Sequence, residues 1–472
     1  MERSTAILAA LAAYLVALLA LGVVAQRRTR DAAGFYLGGR TLGPWVAALA
    51  ANASSSSAWS LVGTSGFAYK NGLTALWLIP GCVGGFVLNW WFVAPRLRAQ
   101  TGSAITLTDF LAGPDGAPGR RPLALFASLL TVASLATYVA AQMQAAGGAF
   151  RHAFDADLSV GIVIGAGVTI AYTLLGGYLA ASITDTLQGL LMVAVAVLVP
   201  AVAVADLGGV DATIAAVAAV DAPGFHDLAG GRTGAAGLAF AFGLVGIGLG
   251  YPGQPHAVNK FMGMDPKASM TVARAVGIGW AVLLYGGMLV LGWPWRATAT
   301  LPAGRHEDVL YAASARLFPP LVDGVILASV LAAIMSTVDS QLLVCASSAT
   351  HDLGLRPRSE RCMLRLARGA VLAVGAAATG TALCLPADVF DNVMFAWAAL
   401  GSGFGPLLLV RLAAGPVAPG HALAAMLVGG LGAIGLYYAP IVHGGFDERV
   451  LAWLAAGAIA WLGARRATGV LG

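Results

Sequence analysis

Thirteen apolar stretches, separated by short polar segments, run along almost the whole chain. Their apolar residues are continuous rather than alternating, which favours membrane-spanning helices over the strands of a β-barrel. We predict spans at 5–25, 44–67, 71–95, 122–148, 157–178, 182–206, 234–255, 272–294, 319–348, 364–385, 389–410, 418–440 and 448–464. The segment 307–318 has helical periodicity and is expected at the outer membrane interface.

Composition agrees with this pattern. Hydrophobic residues make up 58% of the 472 residues and charged residues 10%, with a mean hydropathy of +0.81. Soluble domains have about 45–50% and about 25% of these classes, so we predict an all-α integral protein of the cell (inner) membrane. The four cysteines, Cys82, Cys345, Cys362 and Cys384, show neither metal-ligand spacing nor a disulfide pattern, and small buried apolar roles are expected for them.

The basic residues predict the orientation of the spans. With residue 1 outside and thirteen spans, 19 of the 27 Lys and Arg residues fall inside, as the positive-inside rule requires. The other eight are Arg3, Lys70, Arg151, Arg232, Arg296, Arg305, Arg316 and Arg449. We therefore expect an external N-terminus and a cytoplasmic C-terminus. The net charge of +5 is mainly a topology signal, and no basic stripe interleaved with aromatic residues indicates a nucleic-acid partner.

Two of the predicted spans are interrupted. The second, "GPWVAALAANASSSSAWSLVGTSG" at 43–66, contains four consecutive serines, and the seventh, "GLVGIGLGYPGQPH" at 243–256, contains five glycines and two prolines. Such segments do not sustain an unbroken helix, and unwound backbone in a bilayer must face protein or water. Each break opens a block of five spans, which is typical of inverted-repeat transporters with a midplane binding site. Glycines that permit close helix packing are the alternative explanation.

The ninth span carries polar residues near its middle. Ser336, Asp339 and Ser340 share one broad helical face, with Thr337 at its edge. Because a carboxylate at the centre of a membrane helix costs about 2.5–3.5 kcal/mol, we expect a cation site here, completed by carbonyls from the break in span two. Alternatively, the hydroxyls bond back to their own helix and Asp339 pairs with another helix.

Asp185 in span six is the second acid expected inside the protein, and we expect no others there. Its functional role competes with two structural ones, helix N-capping and charge balance at the interface. The chain has no P-loop, G-x-S-x-G or H-E-x-x-H motif, which argues against ATP-driven transport and against an enzyme. A channel is a poorer match to the broken helices than a transporter. No obligatory protein partner is inferred.

Four motifs in order, "GGRTLGPWVAALAANASSSSAW", "TLLGGYLAASITDTLQ", "GLGYPGQPH" and "LAAIMSTVDSQLLVCASSA", resemble the sodium/solute symporter family, most closely its sodium/proline symporters. The resemblance implies a LeuT-like fold with one leading helix, a five-plus-five inverted repeat and two trailing helices. The chain then divides into 1–43, 44–206, 207–410 and 411–472. It also implies a secondary active symporter that couples inward sodium movement to uptake of a small organic solute.

The resemblance further implies the site residues. A main sodium site would use the carbonyls of Ala53, Ser56 and Ala333 with the hydroxyls of Ser336 and Thr337. A second sodium site, found in some family members, corresponds to Asp185, Ser336, Asp339 and Ser340, and the substrate pocket to Ser57, Tyr138, Tyr251 and Pro255.

The chain departs from the proline symporters at three positions in or near these sites. Ser55 replaces an acid, Ser56 a methionine and Ile247 a tryptophan of the proline pocket. Proline is therefore the leading candidate solute, with alternatives in another solute such as pantothenate, another cation, or a membrane sensor with a transporter-like fold.

Overall fold

The structure, a computed structural model, describes residues 2–26, 38–175, 178–354, 360–384, 388–442 and 444–469. In these ranges no β-strand forms, apart from an isolated bridge between Leu42 and Met264. The helices are α1 (Arg3–Gln26), α2 (Pro44–Ser55), α3 (Thr64–Asn71), α4 (Gly84–Leu88), α5 (Ala94–Gln100), α6 (Leu107–Ala112), α7 (Arg120–Phe154), α8 (Leu158–Leu175), α9 (Tyr178–Asp206), α10 (Val210–Ala218), α11 (Gly234–Val245), α12 (Ile247–Gly250), α13 (Pro255–Met262), α14 (Met270–Thr298), α15 (Val309–Leu317), α16 (Pro320–Ser347), α17 (Glu360–Cys384), α18 (Val389–Ala414), α19 (Pro419–Tyr438) and α20 (Ala452–Gly469).

Each predicted span coincides with one of these helices or with a run of helical segments. Within the described ranges, nine helices have the length and hydropathy to cross a membrane. The count is ten if the pair Trp59–Trp77 and Ile79–Gln100, bent by 63°, is one span. The all-helical prediction is confirmed, and the segment 307–318 does contain a helix, α15.

Some predictions concern residues outside the described ranges, and one prediction, on the cysteines, is partly wrong. Of the basic residues placed inside, Arg27, Arg28, Arg30, Arg356 and Arg358 lie outside the described residues. Cys82 and Cys345 are buried as predicted, whereas Cys362 and Cys384 lie on the exposed face of α17. The prediction of four buried cysteines was therefore wrong for two of them, because α17 presents much of its surface to the surroundings of the protein.

Helices α16 and α18 form the centre of the molecule. Of their most apolar windows, 83% and 89% are buried inside the protein, against 28% for both α1 and α17. Helix α16 packs against α1, α2, α7, α9 and α17. The polar residues of α16 therefore face other helices, where hydrogen bonds and charges from protein groups can offset their desolvation.

The first predicted break separates α2 from α3. Helix α2 ends at Ser55, and Ser56 is extended, with φ −120° and ψ 91°. A π-helical turn at Trp59–Gly63 then leads into α3. The last carbonyl groups of α2 consequently have no partner four residues on within their own helix.

The second predicted break separates α11 from α13. Helix α12 is four residues long and is followed by a 3₁₀ turn at Tyr251–Gly253. Gln254 is extended, with φ −94° and ψ 100°, and Pro255 begins α13. Proline suits this first helical position because its missing N–H would have no partner there.

The two broken spans are joined at one end. The Leu42 amide donates to the Gly263 carbonyl over 3.2 Å, and the Asp265 amide donates to the Leu42 carbonyl over 3.0 Å. These bonds tie the segment before α2 to the segment after α13. Further along α2, the Asn52 side chain donates to the Gly277 carbonyl of α14 over 2.6 Å.

A loop between α14 and α15 closes over the end of the first broken span. Glu307 in this loop accepts hydrogen bonds from the amides of Val389 (3.3 Å) and Phe390 (3.0 Å) at the start of α18. Its backbone lies against Gly66 of α3, where a Cβ atom would come within 2.8 Å. Burial raises the pKa of Glu307 to about 7, and the charge of Asp388 adds to this while the two amide donors oppose it.

We expect Gly287→Ala to destabilise the contact between α14 and α9. A Cβ atom at Gly287 would lie 1.8 Å from the Ala196 carbonyl oxygen, a backbone atom that cannot rotate away. Overpacking of this kind costs about 1–3 kcal/mol, so the melting temperature of the purified protein in detergent should fall. The matched control is Gly286→Ala, since nothing lies within 4 Å of its Cβ position. Equal melting temperatures for both variants would contradict this packing.

We expect Glu307→Gln to weaken the pH dependence of stability. The folded pKa of about 7 exceeds the ordinary 4.5, so the unfolded chain loses this proton first as pH rises. The contribution of Glu307 is therefore present below about pH 4.5 and is lost as pH approaches about 7. Melting temperatures between about pH 5 and pH 8 should fall more in the wild type than in Glu307→Gln. The exposed Glu2→Gln should behave as wild type, and parallel profiles for all three proteins would refute this role.

Candidate ion and substrate site

The carbonyl of Ala53, at the end of α2, meets two hydroxyls of α16. Ser336 Oγ lies 3.2 Å from this oxygen and Thr337 Oγ1 lies 3.4 Å from it. Ser336 Oγ also donates to the Ala333 carbonyl over 3.1 Å. The alternative of back-bonding to α16 therefore describes part of the geometry, because Ser336 faces its own helix and α2 together.

These oxygens suit a hard monovalent cation. Hydroxyl and carbonyl groups from two helices converge where α2 has unwound, and Ala53, Ala333, Ser336 and Thr337 are fully buried. Ser56 contributes differently, since its amide donates to the Ala53 carbonyl and its hydroxyl lies 3.4 Å from the Tyr285 hydroxyl. Ser55 Oγ donates back to the carbonyls of Ala51 and Asn52 on its own helix.

Asp185 is fully buried on α9 and pairs with Lys260 of α13. Lys260 Nζ lies 2.9 Å from Asp185 Oδ2 and 3.2 Å from Ser182 Oγ, and its side chain is 2% exposed. Asp185 is the eighth residue of α9, too far along the helix to cap its N-terminus. Lys260, expected in an inside segment between two spans, is buried in the protein because it lies within α13.

Asp339 is the other buried carboxylate of this region. It is 1% exposed, and neither of its oxygens has a hydrogen-bond partner in the part of the chain that the structure describes. The alternative in which Asp339 pairs with a donor on another helix thus finds no such donor among the described residues. Nearby, Ser54 Oγ donates to Asp185 Oδ2 over 3.1 Å and lies 3.1 Å from Ser340 Oγ, which links α2, α9 and α16.

Asp185 and Asp339 are not the only acids inside. Asp323, Asp352, Asp447 and Glu448 are also buried, so the expectation of two was wrong. Most of these carboxylates have local partners: Asp323, for instance, accepts from Arg3 at 2.9 Å and from Ser314 at 2.6 Å. The sequence does not reveal a partner such as Arg3, which lies 320 positions from Asp323.

Asp109, His351 and Asp352 form a second cluster that has the donor types of a metal site. Its carboxylates already have partners: Asp109 contacts Arg120 at 2.7 Å and His351 at 2.6 Å, and Asp352 accepts from Thr106 at 2.7 Å. Burial alone would raise the pKa of Asp109, but the hydrogen bonds from His351 and Arg120 outweigh it and hold this pKa at about 2. The cluster therefore serves as an ion-paired link between α6 and the end of α16.

The predicted substrate residues line the region between the two breaks. Tyr138 of α7 donates to Ser57 Oγ over 3.3 Å, and Tyr251 shares a hydrogen bond of 2.9 Å with Tyr285 of α14. Ser57, Tyr138 and Tyr251 are buried, and Pro255, also buried, begins α13. The structure thus brings the tyrosines to the broken segments, while Pro255 has a backbone role at the helix start.

Several residues that sequence reasoning missed complete this region. Trp397 of α18 lies 4.7 Å from the Tyr251 ring and 6.4 Å from the Tyr138 ring, centroid to centroid. Its indole N–H donates to the Ile247 carbonyl over 3.0 Å. Trp397 and Tyr285 carry no sequence signal of their own, since aromatic residues in apolar spans look like ordinary core residues. For Lys260, the helical continuation of α13 after Pro255 was an available signal.

Four polar side chains at the breaks keep unmet hydrogen-bonding capacity. Trp59 Nε1, Gln142 Nε2, Gln254 Oε1 and both ring nitrogens of His256 are buried and have no partner among the described residues. Gln142 is held in place because its Oε1 accepts from the Ala58 amide over 3.0 Å. Buried polar groups are normally satisfied, so this concentration of unpaired donors and acceptors suits a polar ligand.

Comparisons with known proteins agree with this geometry. The family model "Sodium:solute symporter family" matches residues 35–429. The chain is 36% identical to the osmoregulated proline transporter OpuE of Bacillus subtilis (strain 168), over 90% of this chain and 87% of that protein. It is 32% identical to the sodium/proline symporter of Escherichia coli (strain K12), over 91% and 88%.

Solved structures show the same fold. A Na⁺-coupled sialic acid symporter superposes with a TM-score of 0.82 at 20% identity, covering 98% of this chain and 97% of that one. Mhp1, a nucleobase-cation-symport-1 family transporter, superposes with a TM-score of 0.57 at 13% identity, covering 92% and 94%. The LeuT-like fold is therefore confirmed, and the chain belongs to the sodium:solute symporter family of multi-pass membrane transporters, whose coupling ion is sodium.

Proposed function

We propose that the solute of this symporter is proline, taken up together with sodium. The observation that carries the proposal is the first break, where the Ala53 carbonyl meets the Ser336 and Thr337 hydroxyls and Ser57, four residues on, meets Tyr138. One unwound segment thus offers oxygens to an ion on one side and a pocket to a solute on the other. The relatives described as proline transporters support the choice of solute.

The chemistry of the pocket suits a small zwitterion with an apolar ring. The rings of Tyr138, Tyr251 and Trp397 offer apolar faces for a pyrrolidine. The unpaired donors Trp59 Nε1 and Gln142 Nε2 suit a carboxylate. Trp397 also supplies an indole beside Ile247, the position at which proline symporters carry their own tryptophan. This neighbouring indole supports proline despite the substitution.

The remaining assignments belong to the same proposal. Ala53, Ser56, Ala333, Ser336 and Thr337 form the main sodium site, whose oxygen donors fit that ion. The chain divides into a leading helix (1–43), two five-helix repeats (44–206 and 207–410) and two trailing helices (411–472). The N-terminus lies outside and the C-terminus in the cytoplasm, which the distribution of basic residues supports even when Lys260 is left out of the count.

We expect sodium and proline to tighten each other's binding. Both would brace the unwound segment between α2 and α3, and the coupling free energy between two ligands must be the same in either direction. Titrations of purified protein with proline, followed by tryptophan fluorescence or thermal shift, should give at least about tenfold tighter binding in sodium than in choline.

Two further measurements make this test specific. Tyr251→Ala should weaken proline binding more than sodium binding, because it removes a ring from the pocket and leaves the Ala53 carbonyl and its two hydroxyl neighbours in place. A screen of other amino acids and of pantothenate under the same conditions tests the identity of the solute. Equal proline affinity in sodium and in choline would refute sodium-coupled proline binding.

We expect Ser336→Ala combined with Thr337→Ala to raise the sodium requirement. The pair loses two ligand oxygens, each worth about 1.5–3 kcal/mol when bonded to a charge, so half-maximal sodium should rise at least about tenfold. Proline affinity at saturating sodium should change less. Ser329→Ala is the matched control on α16, because its hydroxyl bonds to its own helix at the Ile326 carbonyl. A loss confined to proline affinity would move these hydroxyls to the solute pocket.

A further inference from the structure

Lys260 occupies a position that a cation would otherwise take. Its ammonium lies against Asp185 Oδ2 (2.9 Å) and Ser182 Oγ (3.2 Å), and 4.9 Å from the centre of the Tyr178 ring. A carboxylate, a hydroxyl and an aromatic face are the surroundings in which an ammonium group is stabilised away from water. Lys260 is thus a cation tethered to α13 and buried against three residues of α9.

The second sodium site implied by the family resemblance uses the same groups. It would draw on Asp185, Ser336, Asp339 and Ser340, and Ser54 links Asp185 to Ser340 through contacts of 3.1 Å each. An ion bound to Asp185 there would lie next to the Lys260 ammonium, and two like charges in a poorly screened interior repel strongly. The residues present therefore do not fit a second sodium ion.

The charges of the cluster lead to the same conclusion. When ionised, Asp185 and Asp339 carry two negative charges, of which Lys260 balances one. Asp339 has no hydrogen-bond partner among the described residues and lies one helical turn beyond Ser336. Its uncompensated charge is therefore close to the Ala53 carbonyl and the two hydroxyls that meet it. One monovalent cation at the Ala53 carbonyl makes the net charge of the cluster zero. A second cation would leave an excess positive charge.

We propose that the Lys260 ammonium is the resident cation of the Asp185 site and replaces a second sodium ion, so that this chain binds one sodium ion per solute. The inference rests on the proposed sodium-coupled function and adds its stoichiometry. It assigns different roles to the two buried acids: Asp185 holds the tethered cation, and Asp339 balances the mobile one.

A small cavity adjoins the Lys260 side chain. A cavity of about 30 Å³ is lined by Tyr178, His256, Lys260, Ser340 and Ser347. This volume accommodates one or two water molecules, since a single water needs at least about 10–15 Å³. Removal of the ammonium would therefore leave Asp185 near a space that, with the vacated volume of the ammonium, can hold an ion and one or two water molecules.

The test is the number of sodium ions bound by the purified full-length protein. Equilibrium binding of radioactive sodium, with saturating proline, should give one site per chain for wild type and for Lys260→Arg, which keeps the charge. Lys260→Met keeps most of the stem and removes the charge, so it should bind two sodium ions with a Hill coefficient above 1. Lys267→Met, at an exposed lysine just after α13, should bind one.

A second readout is the charge moved per solute in proteoliposomes, obtained from the membrane potential at which proline flux reverses. It should be one in wild type and two in Lys260→Met. Two sodium ions bound by wild type, or one bound by a folded Lys260→Met, would overturn the inference while leaving sodium-coupled proline uptake intact. No saturable sodium binding in wild type would overturn the proposed function, and this inference with it.

Discussion

The structure depends on backbone groups that lose their helical partners in the middle of a membrane protein. Where α2 ends at Ser55, its last carbonyls lose their usual amide partners four residues on, and hydrocarbon offers no water to replace those bonds. The Ala53 carbonyl meets the hydroxyls of Ser336 and Thr337, and this requires α16 to pass directly beside the break. The central position of α16 and the burial of its polar face follow from that requirement.

The fold could be predicted from the sequence because its main signals are local. Continuous apolar runs marked the spans, and the serines of span two and the glycines and prolines of span seven marked the breaks, since each acts on the backbone of its own segment. The site was predicted less completely. Ser336, Thr337 and Asp339 stood out as polar residues in an apolar helix, whereas Trp397 and Tyr285 did not, because an aromatic residue is unremarkable in such a setting.

Lys260 shows why a site can be missed even when each residue is visible. A lysine between two predicted spans is normally read as a surface charge that sets topology. Here its burial depends on Asp185, 75 positions earlier in the chain, which lies 2.9 Å from its ammonium. An ion pair of this separation has no local sequence pattern, so only the contacts between α13 and α9 reveal it. The same holds for Asp323, whose partner Arg3 is 320 positions away.

The two backbone hydrogen bonds of Leu42 give the broken spans a shared anchor. They join the chain just before α2 to the chain just after α13, and each such bond contributes about 0.5–1.5 kcal/mol. While these two hydrogen bonds remain, a tilt of either half-helix must displace the other. The Ala53 carbonyl lies on α2 and Lys260 lies on α13. These backbone hydrogen bonds therefore couple the movements of the two half-helices without depending on any side chain.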